Sequence, residues 1–240
     1  MIAVVLGEMS LNKRADGNDI DVVDALASAA QSDPGKFWRK ENLRFDEPHY
    51  RSVKAVRIIE KLAQGRECSL LDVGCGPAAL GRLLPANIDY YGIDIAIQNP
   101  APNLLEADLR TAPIKFRDKR FDIVLAQGIF EYVGDAQSRK FAEIAGILEP
   151  DGKFVVSYWN FGHRKPDVYY AFSNVRPLSD FRKDLARYFN IDSSFPVSHN
   201  WHHTGPKRRI TKAINMPVRI NIPFISPALA VEYFFVCSPL

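Results

Sequence analysis

One segment, Leu70-Leu71-Asp72-Val73-Gly74-Cys75-Gly76-Pro77-Ala78, narrows the choice of fold more than any other part of the chain. Its apolar start reads as a buried strand, its two glycines turn the chain tightly, and the residues beyond continue as a helix. Gly74 and Gly76 lack the Cβ that would block a sharp turn or keep a ligand from the backbone. A helix beginning there aims unpaired amide groups at that ligand. A strand that enters a helix through such a turn belongs to the α/β class, whose sites form at the carboxyl ends of parallel strands.

The rest of the chain agrees. Short β-rich runs over 69–73, 89–93, 103–107, 121–126, 153–158, 191–198 and 231–237 alternate with helical patterns over 51–62, 78–84, 136–148 and 178–188. That alternation is the mark of a mostly parallel sheet covered by helices. Pro150-Asp151-Gly152 reads as a turn between a helix and the next strand. Residues 1–50 are expected to form an N-terminal extension, with a helix over 20–31. Phe37, Trp38, Phe45 and Tyr50 would supply an aromatic lid or pack an N-terminal helix on the sheet. Residues 51–240 form the main domain. Met1 to Leu6 are too few for a signal-peptide core, and Met9 is a second candidate start. Cys68, Cys75 and Cys237 match neither a zinc site nor a disulfide framework, which points to a reducing, cytoplasmic setting.

The glycines alone leave two ligands open. Gly74-Cys75-Gly76-Pro77-Ala78-Ala79 satisfies the loose dinucleotide pattern with alanine in its last place. Asp94 lies eighteen residues beyond Gly76 at the end of the next strand, where a carboxylate accepts hydrogen bonds from ribose hydroxyls. Asp72 separates the two readings. A carboxylate at the mouth of the first strand pairs well with an ammonium group and repels a pyrophosphate.

Asp72-Val73-Gly74-Cys75-Gly76 resembles motif I of the class I methyltransferases, which depend on S-adenosylmethionine (SAM). Later segments match in order over residues 70–148. Asp94, followed by Ile95, resembles the ribose-binding acid. Asp108-Leu109 is similar to the pair at the adenine, and the stretch from Phe121 to Gln127 resembles the fourth-strand motif, with Glu131-Tyr132-Val133 behind it. Ala78 departs from the pattern, standing where many members carry a third glycine. The resemblance implies a Rossmann-like, doubly wound, seven-stranded, mostly parallel sheet with an antiparallel last strand and helices on both faces. It also implies SAM as cofactor, held by Asp72, Gly74, Cys75, Gly76, Asp94, Ile95, Asp108, Leu109 and Gln127.

The methyl acceptor must be read elsewhere. The fourth strand ends in Gln127-Gly128-Ile129-Phe130-Glu131, with neither the Asn-Pro-Pro-Tyr tetrad of amine methylation nor the strand-end aspartate of metal-dependent catechol enzymes. In the family the sixth strand would bring His202 and His203, and the fifth His163, to the reacting methyl. Histidine is suited to take a proton from a hydroxyl acceptor. Between Asp192 and Glu232 no acidic residue occurs, while Lys207, Arg208, Arg209, Lys212 and Arg219 do. This basic insertion, over about 199–229, favours an anionic small molecule or a lipid-linked acceptor reached at a membrane surface. The net charge of +3 and the absence of an appended recognition domain disfavour nucleic acid. The competing readings are an RNA or protein methyltransferase, an NAD(P)-binding oxidoreductase, and a SAM-binding module without catalysis.

Overall fold

The computed structural model describes residues 34–42, 50–160, 176–199 and 230–240. Seven strands, β1 (Cys68–Val73), β2 (Ile88–Asp94), β3 (Leu104–Glu106), β4 (Phe121–Ala126), β5 (Leu148–Trp159), β6 (Phe189–His199) and β7 (Ala230–Pro239), form one sheet in the order β3-β2-β1-β4-β5-β7-β6. β7 runs antiparallel to both its neighbours, so β6 shares the direction of the other five. The expected architecture is therefore present, and the strand order reverses between β1 and β4. Ligands in open α/β sheets bind at that switch point.

Four α-helices are described: α1 (Pro34–Asn42), α2 (Tyr50–Ala63), α3 (Gln137–Ile147) and α4 (Leu178–Leu185). Because both faces of the sheet are covered, its central strands are apolar almost without interruption. Successive residues serve opposite cores. Leu70, Val155 and Phe234 pack with Ala55, Val56 and Ile59 of α2. Their neighbours Leu71, Val156 and Phe235 pack with Phe141 and Ile144 of α3 and with Phe181 and Leu185 of α4. Phe130 stacks on Phe141 at 4.6 Å and tethers the segment after β4 to this second core. Each such side chain, fully buried, contributes about 1.5–3 kcal/mol.

The structure corrects three local expectations. The helix expected over 78–84 is a single 3-10 turn, Ala79–Leu83. Ala78 is left-handed (φ 56°) and its amide bonds back to Cys75 O (2.9 Å), so no α-helical ladder starts there. Leu80, Leu83 and Leu84 suit a three-residue repeat as well as an α-helical one. The turn expected at Pro150-Asp151-Gly152 lies inside β5. There the chain advances five residues, Leu148 to Lys153, while β4 advances two, Phe121 to Ile123. Pairing of Leu148 with Phe121 makes this a bulge within the strand. Finally, α4 stops at Leu185 rather than near 188, and its orphan carbonyls are met by the amides of Ala186, Arg187 and Tyr188. Helix α1 carries Phe37 and Trp38, two of the aromatic residues expected either to close a lid or to pack an N-terminal helix on the sheet. The helix expected over 20–31, Phe45 and the basic residues of the insertion lie outside the described residues. No helix among those described is long and apolar enough to cross a membrane.

Candidate active site

The carboxyl ends of β1, β2 and β4 open into a cavity of about 340 Å³. Asp72, Gly74, Cys75, Gly76, Asp94, Ile95, Asp108, Leu109 and Gln127, all singled out from the sequence, line it together. The loop after β1 is built from alternate left-handed residues, with φ 79° at Gly74, 53° at Gly76 and 56° at Ala78. Gly74 and Cys75 both donate to Ile93 O (2.7 and 3.1 Å), fixing the loop to the end of β2.

Asp94 is buried, and both of its oxygens hold backbone. Oδ2 accepts from Gly76 N (2.8 Å) and Oδ1 from Ala96 N (2.9 Å). Asp72 is also buried, and its Oδ2 accepts from the Tyr90 hydroxyl (2.9 Å). Burial pushes its carboxyl up to about 7, although the Tyr90 hydrogen bond pulls the other way. Asp108 is gripped by Arg110 through Nε to Oδ1 (3.0 Å) and Nη2 to Oδ2 (2.6 Å). That hydrogen bonding holds the carboxyl below its ordinary range. Cys75 is buried beside Asp72 and Asp94, so its thiol is pushed up and is no nucleophile.

These details decide what the cavity accepts. In a dinucleotide site the glycine-loop amides hold the pyrophosphate. Here the Gly76 amide is already capped by Asp94, and a second carboxylate, Asp72, stands at the strand mouth. Both features oppose a phosphate and suit a cation, while Ile95, Leu109 and Ile129 offer apolar walls. SAM carries an ammonium and a sulfonium, lacks phosphate, and fits this set of groups.

Residues 71–156 match a family model described as a methyltransferase domain. Over this part of its length the chain is similar to methyltransferases, it shares the fold of SAM-dependent ones, and its carboxylate-lined loop suits SAM as cofactor. The chain is 31% identical over 120 residues to ubiquinone biosynthesis O-methyltransferase of Rhodopseudomonas palustris, a match covering 44% of this chain and 47% of that protein. It is 29% identical over 124 residues to cyclopropane-fatty-acyl-phospholipid synthase of Escherichia coli, covering 48% of this chain and 32% of that one. It thus spans about half, or a third, of the length of these curated relatives. Among solved structures, 1,6-didemethyltoxoflavin-N1-methyltransferase of Burkholderia thailandensis shares the fold. Its TM-score is 0.56 at 17% identity, over 95% of this chain and 92% of that chain.

Other wall residues were not singled out as cofactor or catalytic positions. Arg51 of α2, Arg110, Tyr132 and Trp159 line the cavity. So does Trp38 of α1, which packs edge-on against Tyr132 at 5.1 Å. Arg39 of the same helix binds Ile97 O (2.8 Å) and Glu106, pinning α1 over the ends of β2 and β3. Beyond the wall, Glu131 and Glu232 are fully buried, and Glu232 pairs with Arg51 (3.1 Å). A glutamate within an apolar run, Ile129 to Val133 for one and Ala228 to Cys237 for the other, is the sequence signal for both. His163, His202 and His203, the expected bases, lie outside the described residues.

Proposed function

We propose that this chain is a methyltransferase that transfers the methyl group of SAM directly to a hydroxyl oxygen of a small-molecule or a glycan- or lipid-linked acceptor. The observation that carries the cofactor half is the carboxylate-lined glycine loop with its Gly76 amide already taken. The acceptor half is supported by likeness to an O-methyltransferase of ubiquinone biosynthesis and to an enzyme named for a phospholipid. A basic insertion over about 199–229 adds a means of holding an anionic group, or an anionic membrane surface on which a lipid-linked acceptor sits.

Bound SAM supplies an electrophilic methyl on a charged sulfur. Asp72 would pair with its ammonium, Asp94 with the ribose hydroxyls, and Asp108 with Leu109 would receive the adenine. Gln127, Cys75, Ile95 and the glycines would shape the remaining wall. Trp38 and α1 act as a lid that excludes water from the charged donor. His202 or His203 would take the acceptor's proton, with His163 next in order. Calorimetry tests this reading. S-adenosylhomocysteine (SAH) should bind and NADH should not, and the reverse result would overturn the assignment.

Asp72 gives the site a pH dependence. Its buried carboxyl, which titrates near 7, must be ionised to pair with an ammonium, so binding below that pH expels a proton. SAH affinity should therefore fall up to about tenfold for each pH unit below 7 and level off above it. Asp72→Asn should bind weakly with a flattened profile. Calorimetric titrations between pH 5.5 and 8 check this, and a flat wild-type curve would remove Asp72 from the ammonium.

A further inference from the structure

Behind the part of the cavity wall formed by Arg51 and Trp159 lies a group of charges that the cofactor site does not use. Glu131 stands beyond the end of β4, and its side chain has no solvent exposure. Its Oε1 accepts the Trp159 amide (2.9 Å), while its Oε2, also buried, takes no hydrogen bond. Leaving a buried carboxyl oxygen unpaired is costly, and such groups in native structures call for an explanation. Trp159 sits opposite Glu232 in the β5–β7 register, and Glu232 pairs with Arg51. Arg51 and Trp159 both belong to the cavity wall. Among the described residues, the groups that face Glu131 are thus Arg51 from α2, Glu232 from β7 and the Tyr158 phenol from β5. Arg51 is in contact with Glu232 and draws on Glu131 only through space. Burial first, with the like charge of Glu232 added, pushes Glu131 up to about 7, against the pull of its hydrogen bonds and of Arg51.

We infer that Glu131 is the proton store of the transfer step, ionised while a sulfonium occupies the neighbouring cavity and reprotonated when the methyl group departs with its charge. The inference rests on the SAM reading above. Transfer breaks the acceptor's O–H bond, forms a C–O bond and breaks the S–C bond, whose electron pair stays on sulfur. The proton released passes to the Glu131 carboxylate through a base at the acceptor, since Glu131 itself lies beyond the cavity wall. The timing follows from electrostatics. A unit positive charge within about 10 Å of a buried carboxyl shifts its titration by about one pH unit at an effective dielectric constant near 20. When SAM becomes SAH that charge vanishes, and Glu131 regains its affinity for a proton as the acceptor sheds one.

The test needs no acceptor. Calorimetry in buffers of different ionisation enthalpy counts the protons released when SAM or SAH binds. Asp72 faces an ammonium common to both ligands and cancels from the difference. At pH 6.5 SAM should release roughly half a proton more than SAH. Glu131→Gln should abolish that difference while still binding SAH. Carbon-13 NMR of carboxyl-labelled glutamate in the wild-type protein supplies a second measurement that does not depend on the variant folding. One glutamate should titrate near 7 in the free protein, move lower with SAM and stay put with SAH. Equal proton counts for the two ligands, or a difference that survives in Glu131→Gln, overturn the inference alone. Binding of neither ligand overturns it together with the SAM reading.

Discussion

Replacing Asp94 with alanine should weaken SAH binding about 100-fold and lower the melting temperature by about 5–10 °C. The first effect is expected of a group that accepts from ribose hydroxyls. The second comes from what that carboxylate also does. Its two oxygens cap the amides of Gly76 and Ala96, and both amides would lose that buried acceptor. Each such loss costs about 1–3 kcal/mol. Asp94→Asn keeps the shape but turns an NH2 toward one of those amides, so it should fall between wild type and alanine. Calorimetry with SAH and thermal unfolding separate the roles. A lowered melting temperature with unchanged affinity would make Asp94 a brace for the loop and no ligand at all.

Gly74→Ala should cost SAH binding about 10–100-fold with a smaller loss of stability. Gly74 has φ 79°, where an L side chain is strained by roughly 1–2 kcal/mol. An added Cβ would also lie 2.9 Å from Cγ1 and Cδ1 of Ile129, which itself lines the cavity. Overpacking of this kind costs about 1–3 kcal/mol. Because the strain sits in the loop, its relief moves the loop and so the ligand. Adding Ile129→Ala removes the collision but not the backbone strain, so the double variant should recover part of the affinity. Complete recovery would show that φ at this position is not limiting, and unchanged binding in the single variant would take the loop out of the site.

The sequence made the strands and the cavity legible for the same reason. Apolar runs such as Ile123 to Ala126, and Leu70 to Val73 but for Asp72, declare a sheet buried on both faces, and the polar residues at their carboxyl ends mark its mouth. What escaped depends on partners distant in the chain or on backbone detail. Arg51 and Glu232 are 181 positions apart, and no periodicity joins them. The left-handed Ala78 cannot be read from its identity, so a 3-10 turn was expected as an α-helix. Asp94 was expected to face a ligand, and its two backbone amides became visible only with the loop folded around it. Pro150-Asp151-Gly152 has the composition of a turn, yet the pairing of Leu148 with Phe121 decides its conformation from outside the segment.

The position of β7 between β5 and β6 has a consequence for assembly. Among the described strands β6 pairs only with β7, which itself joins the rest of the sheet at β5, across the intervening residues 160–229. β1, β2 and β4, which carry the cofactor loop, pair with strands separated from them by shorter stretches, the longest being 74–120 between β1 and β4. Closing the longer loop carries the larger entropic cost. The donor-binding half should therefore order first, and the β6 edge should dock last and open first. In amide exchange, β1 and β4 would be slow and β6 fast. The cofactor loop would then sit on a rigid half while the far edge of the sheet breathes.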